Sequence, residues 1–221
     1  MTDRELQQHV LDALDWDPSV NAAGIGVSAD NGIVTLRGDV ATYAEKQMAE
    51  RVTLRVYGVK AVANDIVVRL ASGHERTDTE IAQAAVAALK WNSVVPPNRV
   101  TVTVADGWVT LNGTLYSYHQ SAAAERTVRD LKGVKGVSNA ILLERPVRSV
   151  STTDVAAKIE AALKRSAEVD ARRISVSAQD GKVVLTGNVR SWAEREDAER
   201  AAWAAPGVME VDDRISVVPQ R

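Results

Sequence analysis

Apolar and polar positions alternate through Ile25, Val27 and Ala29, break at Asn31-Gly32, and resume in "IVTLRG". A period of two on either side of a two-residue Asn-Gly step predicts a β-hairpin, because Asn and Gly tolerate the positive φ angles of the tight turn. The pattern returns at Val100, Val102 and Val104 with Asp106-Gly107 and "WVTLNG", and again at Ile174, Val176 and Ala178 with Asp180-Gly181 and "VVLTG". Ahead of each hairpin the period lengthens. In "TEIAQAAVAALKW", Ile81, Ala84, Ala85, Ala88 and Leu89 recur at helical spacing, and Leu6 to Trp16 and Val155 to Arg165 are the equivalents. Behind each hairpin, "TYAE", "SYHQ" and "SWAE" set Thr42, Ser117 and Ser191 three residues before Glu45, Gln120 and Glu194. That is capping-box spacing and predicts a second helix. The helix is expected to end at Gly58, Gly133 or Gly207, and a third strand follows in "AVANDIVVRL", "GVSNAILLE" and "EVDDRISVV".

Three sets of glycines hold one register across the chain. Gly32, Gly107 and Gly181 lie 75 and 74 residues apart, as do Gly38, Gly113 and Gly187, and Gly58, Gly133 and Gly207. The chain is therefore a tandem array of three units, each long enough to be a small domain. Boundaries fall at 1–72, 77–147 and 151–221, with short polar connectors in "ASGHERTD" and "ERPVRSVST". The order helix, strand, strand, helix, strand places each unit in the α+β class as an αββαβ sandwich, two helices on one face of a three-stranded sheet. A right-handed crossover through the second helix brings the third strand parallel to the second, so the sheet is mixed.

Composition narrows the core and the chemistry. The 221 residues include no Phe, so the cores must be built from Val, Ala, Leu and Ile. The absence of Cys removes disulfides, thiolate zinc sites and thiol nucleophiles. With 25% charged residues and a net charge of −2, the chain does not read as disordered or as a nucleic-acid binder. No apolar run approaches the ~20 residues that span a bilayer. The N-terminal "MTDRELQQHVLDALDWDPSV" is acidic and lacks a long apolar centre, which sets the expectation of a cytoplasmic protein. A periplasmic location would require a trimmed form of an exported chain.

The repeated residues resemble the BON domain, named for bacterial osmotic-stress and nodulation proteins. The resemblance is carried by "ALDWDPSV…IGVSADNGIVTLRGDV…AERV…YGVKAVANDI" in the first unit and "VTVADGWVTLNGTL…AAERTV…KGVKGVSNAI" in the second. In the third it is carried by "ISVSAQDGKVVLTGNVRSWAEREDAER…PGVMEVDDRI". The third unit departs at two places, with Arg165 where Trp16 and Trp91 stand and Asp213 where Asn64 and Asn139 stand. The resemblance implies a non-enzymatic module that associates with phospholipid surfaces in envelope maintenance or osmotic stress.

Searching the sequence for chemistry yields little. His9, His74 and His119 occupy different positions in different units, so they do not form a repeated metal site. "DWDPSVN" has alternate oxygen ligands but Val20 where a calcium loop needs glycine. "GIGVSAD" leads into a strand and is not a dinucleotide loop. The recurrent Ala-Glu-Arg at 49–51, 124–126 and 198–200 reads as a solvated helix face. No nucleophile–base pair or cofactor site is indicated.

Charge is unevenly divided. Residues 1–75 carry 7 Lys/Arg against 11 Asp/Glu, residues 76–150 carry 9 against 6, and residues 151–221 carry 11 against 12. The net values are −4, +3 and −1. The basic middle unit also gathers Trp91, Trp108, Tyr116 and Tyr118 near Lys90 and Arg99. Basic residues beside Trp and Tyr suit an anionic lipid interface. The candidate binding set is therefore Lys90, Trp91, Arg99 and Trp108. The competing reading puts Trp91 in the core and Trp108 across the sheet. Two functions follow: peripheral association with anionic phospholipid through the second unit, or a cytosolic adaptor or sensor for a protein partner, small solute or ion.

Overall fold

The computed structural model describes residues 1–70, 75–144, 152–165 and 171–218, with only the backbone described at 152–154 and 171. The first domain runs α1 (Asp3–Trp16), β1 (Ile25–Asp30), β2 (Ile33–Val40), α2 (Tyr43–Arg55) and β3 (Ala61–Val68). The second runs α3 (Asp78–Trp91), β4 (Val100–Ala105), β5 (Trp108–Leu115), α4 (Tyr118–Arg129) and β6 (Gly136–Leu143). The third runs α5 (Thr152–Arg165), β7 (Ile174–Gln179), β8 (Lys182–Val189), α6 (Trp192–Trp203) and β9 (Glu210–Val217). Each domain has a three-stranded sheet with its hairpin strands antiparallel and its second and third strands parallel, so the α+β reading holds in all three. The connector residues 71–74 and 145–151, and His74 with them, lie outside the described residues.

Both helices of a domain pack on one face of its sheet because only alternate strand residues are apolar. In the second domain Val109 and Leu111 of β5 meet Ile81, Ala85 and Leu89 of α3, and Ala124 and Val128 of α4. The first and third domains have separate clusters of the same kind. The fully buried Ala49, Ala124 and Ala198 are equivalent residues of the second helices, and each belongs to an Ala-Glu-Arg motif. A methyl group there lets the helix lie close to its sheet, so the motif's alanine is core although its arginine is not.

The hairpin turns take the conformation the Asn-Gly and Asp-Gly steps predict. φ is +51° and +84° at Asn31-Gly32, +52° and +80° at Asp106-Gly107, and +50° and +82° at Asp180-Gly181. The first helix also holds the turn: the Asp78 carboxylate accepts from the Asp106 and Gly107 amides, each at 2.8 Å. Asp3 does the same for Asn31 and Gly32, at 2.9 and 3.1 Å.

Two expectations about the second helices need correction. Thr42, Ser117 and Ser191 cap as expected, accepting from the amides of Glu45, Gln120 and Glu194. The return bonds fall one residue further out, from the amides of Ala41, Tyr116 and Arg190 to those three side chains. The chain leaves the preceding strand extended, which turns the outer amide toward the carboxylate. Full reciprocal boxes occur instead at Thr2–Glu5 and Thr77–Glu80 on the first helices. The second helices also stop before the glycines, at Arg55, Arg129 and Trp203. Each glycine serves a following turn, closed by Val59 donating to Val56, Val134 to Leu131 and Val208 to Ala205.

Candidate functional site

The helical stripe that fixes α3 to its sheet also decides where Trp91 goes. Ile81, Ala85 and Leu89 advance slowly around the helix, whereas position 91 lies about 120° from the centre of their stripe at 3.6 residues per turn. Trp91 is accordingly 88% exposed at the end of α3, and the core reading for it is overturned. Trp16 ends α1 in the same register and is 89% exposed. Lys90 beside Trp91 is exposed, and among the described residues it has no ion-pair partner. Val94, three residues on, is also exposed. Lys90 and Trp91 at the end of α3 are thus the two members of the candidate set left exposed to solvent.

Arg99 and Trp108 are committed elsewhere. Arg99 precedes β4 and Trp108 follows the hairpin turn, so an extended strand holds them roughly 20 Å apart. Arg99 Nη1 pairs with Glu144 at 2.8 Å, its Nη2 donates to the Tyr116 hydroxyl, and its guanidinium lies 4.6 Å from the centre of the Tyr116 ring. Trp108 lies across Gly136 on the open sheet face, where a Cβ on Gly136 would meet the ring at 2.3 Å, and its indole donates to Ser138 at 2.9 Å. The sheet-covering alternative therefore describes Trp108. At the equivalent place in the third domain Lys182 pairs with Glu210 at 2.6 Å, and that hydrogen bond holds the ammonium above its ordinary pKa. The structure does not bring the four candidates together.

The position where the third domain departs from the others is structural. Asn64 donates to Glu50 at 2.9 Å and to the Lys46 carbonyl, and its oxygen accepts from the Ile66 amide. Asn139 repeats this with Glu125, Ser121 and Ile141. Asp213 keeps the bond to the strand, from Ile215, and replaces the amide donor contacts with an ion pair to Arg195 at 2.7 Å.

The equivalence of three aromatics escaped the sequence reading, which noted Tyr118 alone, in the basic aromatic gathering of the second unit. Tyr43, Tyr118 and Trp192 open the three second helices, spaced 75 and 74 residues apart. Capping needs no aromatic there, and that surplus was the signal. Burial raises the phenol pKa of both tyrosines, and nearby carboxylates, Glu125 for Tyr43 and Glu199 for Tyr118, add to it. Among the described residues, no group of His, Asp and Glu is arranged to hold a metal ion.

A sequence model of the BON domain matches residues 2–69, 77–145 and 151–219. The chain belongs to the BON domain family. One relative is osmotically-inducible protein Y of Escherichia coli, 33% identical over 147 residues, or 63% of this chain and 71% of that protein. Among solved structures, the structural protein CdsD of the type III secretion system of Chlamydia trachomatis aligns over 98% of this chain and 94% of its own, at 16% identity and a TM-score of 0.28. The PrgH periplasmic domain aligns over 94% and 99%, at 11% identity and a TM-score of 0.23. Overlap at that level supports no conclusion about either fold or function. Among the described residues, no helix of this BON protein is long and apolar enough to cross a membrane.

Proposed function

We propose that this protein is a non-enzymatic, stress-related BON protein that docks peripherally on anionic phospholipid through the end of α3 in its second domain. The observation that carries the reading is Trp91, 88% exposed beside Lys90 on the one domain whose sequence is net basic. An indole at the headgroup level gains apolar contact while its N–H stays wet, and a lysine near a charged leaflet adds roughly 1 kcal/mol. Similarity to osmotically-inducible protein Y supports the stress context. Arg99 and Trp108 drop out of the contact set because Glu144, Tyr116, Gly136 and Ser138 already occupy them.

Trp16 favours a second reading for the first domain. It is as exposed as Trp91 but stands between Asp15 and Asp17 on a domain of net −4. Anionic lipid would be repelled there, and a protein partner with a basic, apolar surface fits better.

Co-sedimentation with vesicles separates the two. Anionic vesicles at low salt should retain the wild-type chain, zwitterionic vesicles should not, and Trp91→Ala with Lys90→Glu should abolish retention while Trp16→Ala leaves it intact. Equal retention of wild type and double variant would remove the lipid reading. Loss of retention with Trp16→Ala alone would remove the restriction to the second domain.

A further inference from the structure

The three surplus aromatics all leave their own domains, and each goes to the next. Tyr43 of the first domain packs against the core of the second, where its hydroxyl meets the Val137 backbone at the start of β6 and Arg129 at the end of α4 lies close by. Tyr118 of the second domain stacks on Trp203 at the end of α6 in the third, with ring centres 4.4 Å apart and planes inclined by 15°. Trp192 of the third domain returns to the first, its indole donating at 3.1 Å to the Lys60 carbonyl just before β3. Arg195 lies 4.9 Å over that indole, and α6 packs against α2.

The receiving surfaces correspond in part. Trp203 and Arg129 are the same position on successive second helices, with Leu54 the match in the first domain. Lys60 and Val137 lie two repeat positions apart around the start of the third strand, Lys60 just before β3 and Val137 as the second residue of β6. The corner of the domain where the second helix ends and the third strand begins is thus used three times in one direction: first to second, second to third, third to first. A head-to-tail contact of this kind either propagates without end or closes when the rotation per step fits the number of units.

We infer that each BON unit here carries a docking surface for another BON unit, made of the end of its second helix and the start of its third strand, and that the aromatic opening the neighbour's second helix fills it, so that three units close into a ring. The repeat number follows from this closure: two units would leave one aromatic and one surface uncovered, and a fourth would have no place. The seam between the third and first domains has no connector across it, so Trp192 alone among the three aromatics holds together parts of the chain that can otherwise move far apart.

Small-angle X-ray scattering on the full chain tests this. A domain of this size has a radius of gyration of about 11 Å, so three domains at a contact spacing of about 25 Å give about 18 Å in a ring and about 23 Å in an open string. The wild-type chain should give the smaller value. Trp192→Asp should shift it toward the larger one with unchanged far-UV circular dichroism, since an acidic residue suits the first turn of α6. Tyr118→Ala should shift it less, because the connector keeps the second and third domains adjacent. Should Trp192→Asp lose helix signal, Trp192→Ala supplies the same comparison. A wild-type value of about 23 Å, or variants at Trp192 as compact as the wild type, would overturn the ring.

Discussion

Replacing Gly113 with valine should destabilise the second domain and leave the other two nearly intact. Gly113 sits at φ +143°, and a Cβ built on it would lie 2.1 Å from the Arg99 carbonyl oxygen and 3.2 Å from the Val100 Cα. Both obstacles are backbone, so relief requires β4 and β5 to separate by more than an ångström at the end of the hairpin. That movement breaks the bond from the Thr114 amide to the Arg99 carbonyl. The strained φ costs about 1–3 kcal/mol and an orphaned amide about another 1–3, giving roughly 2–6 kcal/mol together. A domain of some 70 residues has only about 3.5–10 kcal/mol to lose. Amide NMR spectra recorded across a urea titration would resolve the three domains separately. Signals from α3 to β6 should be lost at much lower urea than in the wild type, while those of the first and third cores persist, because the three apolar clusters are distinct. A change under about 1 kcal/mol would refute the steric reasoning, and simultaneous loss of all three domains would refute their independence.

Other expectations are more local. Trp91→Ala should change stability by less than about 0.5 kcal/mol in thermal melts, since the side chain is almost fully exposed and makes no core contact; a larger loss would mean that it packs. Hydrogen bonds from Thr77 hold the Glu80 carboxyl below the usual glutamate pKa, about 4.3. The unfolded chain therefore takes up this proton first as pH falls, so the stability that Glu80 contributes is present above that value and is lost as pH drops through the depressed folded one. Melts of wild type and Glu80→Ala should differ at pH 6, and the gap should narrow as pH falls below the usual glutamate value; a constant gap would contradict the assignment. Limited proteolysis should cut first in "SGHER" or "PVRSV"; early cleavage within "VTLNG" would argue against the domain boundaries.

The sequence made the hairpins legible because Asn-Gly and Asp-Gly admit one kind of turn and each flanking strand alternates cleanly. It carried the parallel third strand too, since a helix between two strands of one sheet leaves few alternatives. The return bonds to Glu45, Gln120 and Glu194 were not legible, because spacing identifies the partners of a cap but not which of two adjacent amides faces inward. Exposure of Trp91 could have been read from its angle to Ile81, Ala85 and Leu89; weighing tryptophan by its apolarity obscured that. Arg99 and Trp108 are close in sequence, yet β4 between them is extended and keeps them apart. Tyr43, Tyr118 and Trp192 were visible in the repeat but gain meaning only when three domains are placed side by side.

The central claim is that Trp91 enters an anionic lipid surface, and its own fluorescence reports that most directly. The difference in emission between the wild-type chain and Trp91→Phe isolates its contribution. At low salt, anionic vesicles should move that difference spectrum to the blue, and salt well above physiological strength should reverse it as screening shortens to a few ångströms. Zwitterionic vesicles should leave it unchanged. A difference spectrum that stays at the water-exposed position with anionic vesicles at low salt would contradict the account.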